Sequence, residues 1–222
     1  MASRLDASKA VVVIGLGRFG KSLSLELESD GVEVLGIDTD RHTVDTLAGR
    51  LTHVVQADST DIEAMRQLSV QDFERAVIAI GSSLEASVLT AFVLRQLGVP
   101  HIWAKATSES MKEILQQVGV EHVIRPEHDM GRRVAHLVRG KLIDYIEFDD
   151  GYAIVKTTPS RSIIGVPLER SGVRTKYGVT VVGIKSPGSD FTHATPQTVV
   201  SSGDVIIVSG ERRKVERFSN EA

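Results

Sequence analysis

Three glycines at positions 15, 17 and 20 carry the first chemistry legible in this 222-residue chain. They close the run Ala10-Val11-Val12-Val13-Ile14-Gly15-Leu16-Gly17-Arg18-Phe19-Gly20 in the spacing G-x-G-x-x-G. Small and β-branched apolar residues leading into such glycines predict a buried strand, a tight turn and a helix whose N-terminus faces an anion. Gly15 allows the turn, Gly17 lets a phosphate approach the backbone, and Gly20 lets helix and strand pack closely. The unpaired N–H groups and positive dipole end at the helix start would then hold a pyrophosphate. Plain glycine-rich turns share this spacing, so the surroundings decide. A second apolar run, Val32 to Ile37, ends in Asp38, close to the ~20-residue offset of a ribose-binding carboxylate. Asp38 accepts from ribose hydroxyls and repels a 2′-phosphate, or it is a helix-start acid like Asp40. Arg18, inside the loop beside Phe19, pairs with phosphate oxygens or lies solvated. Paired, it favours the charged terminus of ADP or ATP over NAD or NADH.

The elements that would position these residues alternate along the first half. Apolar runs at Val11–Ile14, Val34–Ile37, His53–Ala57, Ala76–Ile80, Ile102–Ala106 and His122–Ile124 predict strands. Helical patterns fill the gaps at Lys21–Ser29, Arg41–Arg50, Ile62–Leu68, Ala86–Leu97 and Ser110–Val118. This alternation predicts an α/β fold with a doubly wound parallel Rossmann sheet. Thr60-Asp61-Ile62-Glu63 and Ser82-Ser83-Leu84-Glu85 read as capping boxes. Ligands of such sheets lie beyond the carboxyl ends of the strands. Those ends carry Asp58 and Ser59, facing an adenine edge, then Gly81 and Ser82, Lys105, and Arg125 with Glu127. Leu84, Ala86, Val88, Leu89, Ala91, Phe92, Val93, Leu94 and Leu97 cover more of the fourth helix than a ~100° stripe. That helix is either buried within the monomer or packed on another subunit.

Pro126 and the acids after it open a further helix, followed from Tyr145 by short β-rich runs at Ile146–Phe148, Ala153–Thr157, Val179–Ile184 and Val205–Val208. Brief helices fit near Pro167–Arg170 and Lys214–Arg217. The expected organisation is a Rossmann domain over 1–126, a linker helix over 127–143 and a small α+β C-terminal domain over 144–222.

Composition excludes several classes. With 26 basic and 29 acidic residues the net charge of −3 leaves no electrostatic footprint for nucleic acid. Cysteine is absent, which removes thiolate nucleophiles and Cys-ligated zinc. Met1 to Lys9 carry charges and no apolar core, unlike a signal peptide. Tyr152 and Lys156 have the Tyr-x-x-x-Lys spacing of short-chain reductases, but in a strand they stand ~13 Å apart. His128 and His136 read as solvated, and no catalytic residue is expected. A small NAD-dependent oxidoreductase is the alternative reading.

Taken together, Val12-Val13-Ile14-Gly15-Leu16-Gly17-Arg18-Phe19-Gly20, Ile80-Gly81, His101-Ile102-Trp103-Ala104-Lys105-Ala106 and Arg125-Pro126-Glu127-His128-Asp129-Met130-Gly131 resemble the RCK family, the Ktr/Trk-type regulators of potassium conductance. Arg174-Thr175-Lys176-Tyr177-Gly178 and Gly203-Asp204 resemble its C-terminal lobe. The resemblance implies dimers assembled into an octameric ring on the cytoplasmic face of a potassium-translocating membrane subunit, gated by ATP, ADP or NAD(H). It implies that Arg18 meets the terminal phosphate and that Glu127 helps hold Mg2+ or another divalent cation. It further implies a cyclic di-AMP site at Val173, Arg174, Val181 and Pro196, with Thr180 where some relatives carry an amide.

Overall fold

The structure, a computed structural model, describes residues 7–139 and 141–221. Met1 to Asp6 of the charged N-terminal stretch lie outside them. The chain divides into two compact units, Met1–Glu127 and His128–Ala222.

The first unit is a six-stranded sheet: β1 (Val11–Ile14), β2 (Val34–Asp38), β3 (His53–Gln56), β4 (Arg75–Ile78), β5 (His101–Lys105) and β6 (His122–Ile124). Their order is β3-β2-β1-β4-β5-β6, parallel throughout. The expected doubly wound topology is therefore present, with the order reversing at β1. The four residues of β1 are all buried, because side chains on both faces meet a core. Val12 and Ile14 join Met65, Leu94 and Leu115 on one face. Val11 and Val13 join Leu47 and Leu51 on the other.

Five helices connect the strands: α1 (Arg18–Ser29), α2 (Arg41–Leu47), α3 (Ile62–Gln67), α4 (Leu84–Gln96) and α5 (Glu109–Gln117). Their caps differ from the expected boxes by one residue. Asp61, not Thr60, caps α3 through Glu63 N and Ala64 N, and Ser83, not Ser82, caps α4 through Ala86 N. Thr60 instead closes a turn onto Asp58, its hydroxyl 2.7 Å from Oδ1.

Helix α4 is partly inside out. Two of its buried residues are hydroxyls: Ser87 donates to the Ile80 carbonyl and Thr90 lies 2.7 Å from Ser59 Oγ. Ala91, Val93 and Leu94 fill the rest of that face, while Phe92 remains 54% exposed beside exposed Leu84 and Leu89. Burial in the monomer thus accounts for only part of the apolar surface.

The second unit opens with most of α6 (Pro126–Arg139), followed by β7 (Leu142–Glu147), β8 (Tyr152–Thr157), β9 (Val179–Lys185), β10 (Thr192–His193), β11 (Val205–Glu211) and α7 (Arg212–Asn220). These strands form a sheet ordered β10-β9-β11-β8-β7, antiparallel at each pairing. Helix α6 ends before Leu142, where β7 begins. His136 is not solvated: its ring stacks on Tyr145 at 4.2 Å and Nδ1 lies 2.9 Å from Glu216. Arg132 and Arg133 of α6 pair with Glu147 and Asp144 of β7. The helix expected at Pro167–Arg170 is a turn, closed by Arg170 N on the Pro167 carbonyl. The π-helical turn at Val173–Tyr177 has no counterpart among the sequence expectations. No helix among the described residues is long and apolar enough to cross a membrane.

Candidate functional site

The glycine loop lies at the carboxyl end of β1, where the strand order reverses, and the three glycines differ as the spacing predicts. Gly15 has φ +88°, with Ala79 and Ile80 3.1 Å from where a Cβ would stand. Around Gly17 a Cβ would meet nothing within 4 Å. At Gly20 it would stand 1.9 Å from the Gly15 carbonyl oxygen. One glycine turns the chain, one leaves open space, and one admits contact between α1 and the loop below it.

A cleft of about 740 Å³ opens above this loop. Gly15, Gly17, Arg18, Phe19, Asp38, Asp58, Ser59, Gly81, Ser82, Lys105 and Glu127 all line it. Gly20 does not; its role is the close contact beneath. Thr39, Thr43, Thr60 and Thr107 also line the cleft. Thr39, Thr60 and Thr107 stand at loop positions and Thr43 in the first turn of α2, and nothing in the sequence separates them from ordinary turn and helix-start residues.

Helix α1 reaches the cleft without a side-chain cap. Its N-cap is Gly17, and no acid stands in its first turn. The next four helices are each capped by a side chain, Asp40, Asp61, Ser83 and Ser108 in turn. Such caps satisfy one or two of the orphan N–H groups at a helix start. Helix α1 keeps its own for whatever enters the cleft, with the positive end of its dipole behind them.

Asp38 is not a helix cap, since Asp40 fills that position. Its Oδ2 accepts from Leu16 N at 2.6 Å and its Oδ1 from Asp40 N at 2.9 Å. The carboxylate therefore ties the glycine loop to the end of β2, and each oxygen retains a further lone pair. Ser59 lines the cleft, but its hydroxyl is bonded to Thr90 of α4 at 2.7 Å. The hydroxyl and N–H of Thr60 hold the Asp58 carboxyl below its ordinary range.

Two cations face these acids. Arg18 is exposed and makes no ion pair among the described residues. Lys105 is buried, its ammonium 2.5 Å from Glu127 Oε1 and 5.8 Å from the centroid of Phe19. The bond from Lys105, then the N–H of Glu127 itself and the nearby Arg18 charge, hold the Glu127 carboxyl below the usual range. No three potential ligands converge among the described residues, and the Glu127 carboxylate already carries an ammonium.

The second unit has a cleft of its own, of about 380 Å³. Val173, Arg174, Val181 and Pro196 line it together with Thr175, Thr180 and Thr195. Tyr152 and Lys156 do not meet: they stand four rungs apart on β8, opposite Glu211 and Ile207 of β11.

Comparison with known proteins agrees with both units. Residues 11–126 match the TrkA-N domain and residues 152–222 the TrkA-C domain. The Ktr system potassium uptake protein A of Bacillus subtilis (strain 168) is 34% identical over 215 residues, spanning 96% of this chain and 97% of that protein. Ktr system potassium uptake protein C of the same organism is 34% identical over 211 residues, spanning 95% and 96%. Among solved structures, the GsuK RCK domain superposes with a TM-score of 0.68 at 20% identity, over 98% of this chain and 49% of that one. The GsuK channel bound to NAD gives a TM-score of 0.66 at 17% identity, over 97% and 39%. GsuK bound to ADP gives 0.52 at 19% identity, over 57% and 34%. This chain thus spans half or less of those GsuK chains, whose likeness establishes the shared fold. With TrkA-N preceding TrkA-C and 34% identity over nearly the whole length of the two Bacillus proteins, the chain belongs to the TrkA family of Ktr-type potassium uptake proteins.

Proposed function

We propose that this chain is a regulatory subunit of a potassium uptake system and that adenine nucleotides control it by binding, without being consumed. The observation that carries the reading is the uncapped start of α1 at Gly17, opening on a cleft that holds Arg18 and Lys105. Phosphate fits that combination of free N–H groups and cations. The NAD and ADP complexes of the GsuK neighbours support a nucleotide in this fold. The names of the Bacillus relatives support a role in potassium uptake. Within this reading Asp38 takes the ribose, Gly17 and Gly15 the internal phosphates, and Arg18 a terminal phosphate, so that ATP and ADP are told apart. NAD or NADH is the competing ligand. No hydride-transfer partner supports the oxidoreductase reading, whose Tyr152 and Lys156 are separated on one strand.

A ligand shifts a conformational equilibrium only by its differential affinity for the two shapes. Helix α6 begins at Pro126, places Glu127 in the cleft lining, and continues as the first element of the second unit. We read it as the connection that carries the change to a potassium-translocating membrane subunit, with this chain on its cytoplasmic side. The second unit's cleft holds the Arg174 guanidinium among apolar walls and threonine hydroxyls, with the Glu169 carboxylate also in its lining, and we assign Arg174 and the hydroxyls to one half of a two-phosphate ligand such as cyclic di-AMP. A second copy would supply the other half.

Competition of ATP, ADP and NAD for a fluorescent ADP probe, with sedimentation of the same samples, tests the reading. The expected result is adenine-nucleotide binding without turnover, on an eight-chain particle. Indifference to adenine nucleotides, or consumption of a metabolite in their presence, would overturn it. Assembly has its own test in α4, whose outer face we assign to the contact between copies. Phe92→Asp should convert the ring to smaller species by sedimentation while leaving ADP affinity within about twofold, a change of only ~0.4 kcal/mol. An intact ring would remove that role from α4.

A further inference from the structure

The cleft of the second unit has a wall built from the π-helical turn Val173–Tyr177, which supplies Val173, Arg174 and Thr175 to its lining. Single π turns are rare and concentrate at functional positions. A five-residue turn has little stability of its own, because helix formation needs a nucleus and length. What touches it must therefore hold it.

Besides β9, which follows it in the chain, and Ser162, which reaches the Tyr177 hydroxyl, helix α7 packs against it. The Tyr177 ring, 2% exposed, meets Phe218 edge-on at 5.1 Å. Its hydroxyl donates to Glu221 Oε2 at 2.5 Å and accepts from Lys176 Nζ at 2.5 Å. Arg217 donates to the Lys176 carbonyl at 3.4 Å. The Lys214 stem closes over Gly178, where a Cβ would stand 2.9 Å from Lys214 Cδ. Positions 214, 217, 218 and 221 follow the i, i+3, i+4, i+7 rhythm of a single helix face. One face of α7 and the residue after it thus grip the end of the turn whose other residues line the cleft.

We infer that α7 and Glu221 set the shape of this cleft, with Tyr177 and Glu221 as positioning residues, so that a ligand there and the end of α7 are coupled. The inference rests on reading the cleft as a site for a phosphate-bearing ring ligand. It adds that site's regulation: whatever loosens the end of α7 weakens the ligand, and the ligand tightens α7 by the same factor.

The full chain tests this with two variants. Tyr177→Phe keeps the ring on Phe218 and removes the hydroxyl's bonds to Glu221 and Lys176 and its longer one to Ser162, 3.5 Å away; Glu221→Gln keeps an acceptor for the hydroxyl. Without any ligand, amide exchange in Tyr177→Phe should rise about fivefold or more in residues 172–178 and 216–221 together, and stay unchanged in β1 and β11. Glu221→Gln should remain near wild type. Unchanged exchange of the turn in Tyr177→Phe would overturn the inference. With cyclic di-AMP as probe, Tyr177→Phe should bind about 5–10-fold more weakly at equal ADP affinity, the size of one lost hydrogen bond. Equal cyclic di-AMP affinity in both proteins would overturn the coupling. A wild-type chain that ignores cyclic di-AMP strikes the ligand reading of the cleft, and the ligand-free exchange then decides the role of α7 by itself.

Discussion

Replacing Gly20 by alanine should cost the first unit ~3 kcal/mol or more and, by displacing the glycine loop, most of its nucleotide binding. The added methyl would stand 1.9 Å from the Gly15 carbonyl oxygen and 3.1 Å from the Ala79 side chain. The obstacle is a backbone atom of the loop itself, so no rotamer change relieves it. Either α1 moves off the sheet or the loop unfolds. Overpacking of an ordinary core costs ~1–3 kcal/mol, and a backbone clash belongs at or above the upper end. At ~2–4 °C per kcal/mol for a chain of this size, the thermal midpoint should fall by roughly 10 °C. Gly17→Ala is the control. Its φ of −62° suits any residue and its surroundings are empty, so it should melt within a few degrees of wild type. Its methyl would fill the space assigned to phosphate, so its binding should fall nonetheless. Calorimetry and titration of the two variants separate these effects. A Gly20→Ala protein as stable as wild type would remove the packing role from that position.

The contrast between these two glycines is legible in the sequence because it follows from a local pattern. A strand run, three glycines and a helix lie within about twenty consecutive residues, and the physics of that turn is the same wherever it occurs. The alternation of runs predicts the sheet for the same reason. What the sequence hides depends on pairs far apart in the chain. Asp38 ties down Leu16 across 22 residues, Ser59 is taken by Thr90, and Lys105 by Glu127. None of these partners has a side chain or spacing that marks it. Helix α4 defeats a simple hydrophobic count because it buries Ser87 and Thr90 and leaves Phe92 outside. In the second unit the two-residue strand β10 and the π turn are too short for any periodicity to develop. His136 reads as solvated in its own stretch of sequence, yet it is held by Tyr145 and Glu216, partners from other elements of the second unit.

Arg18→Ala should lose about 10–100-fold in ATP affinity and less than about threefold in ADP affinity. A hydrogen bond to a charged group contributes ~1.5–3 kcal/mol, and each 1.4 kcal/mol is tenfold. The asymmetry follows from where the charge stands. The internal phosphates are to be met by the N–H groups of α1 and the open backbone at Gly17, which the substitution leaves alone. Arg18 makes no ion pair among the described residues, so removing it breaks no structural bond, and the melting temperature should not move. Lys105 is a weaker substitute, because one of its three ammonium donors is already held by Glu127 at 2.5 Å. A conservative Arg18→Lys variant should recover part of the ATP preference, since a point charge reaches the phosphate but lacks the guanidinium fork. If ATP and ADP weaken equally in Arg18→Ala, the terminal phosphate lies elsewhere and the discrimination assigned to this side chain fails. If only ATP weakens, the free-energy difference between the two nucleotides is written largely in one exposed guanidinium. That difference is the most a nucleotide exchange can contribute toward shifting one shape to another.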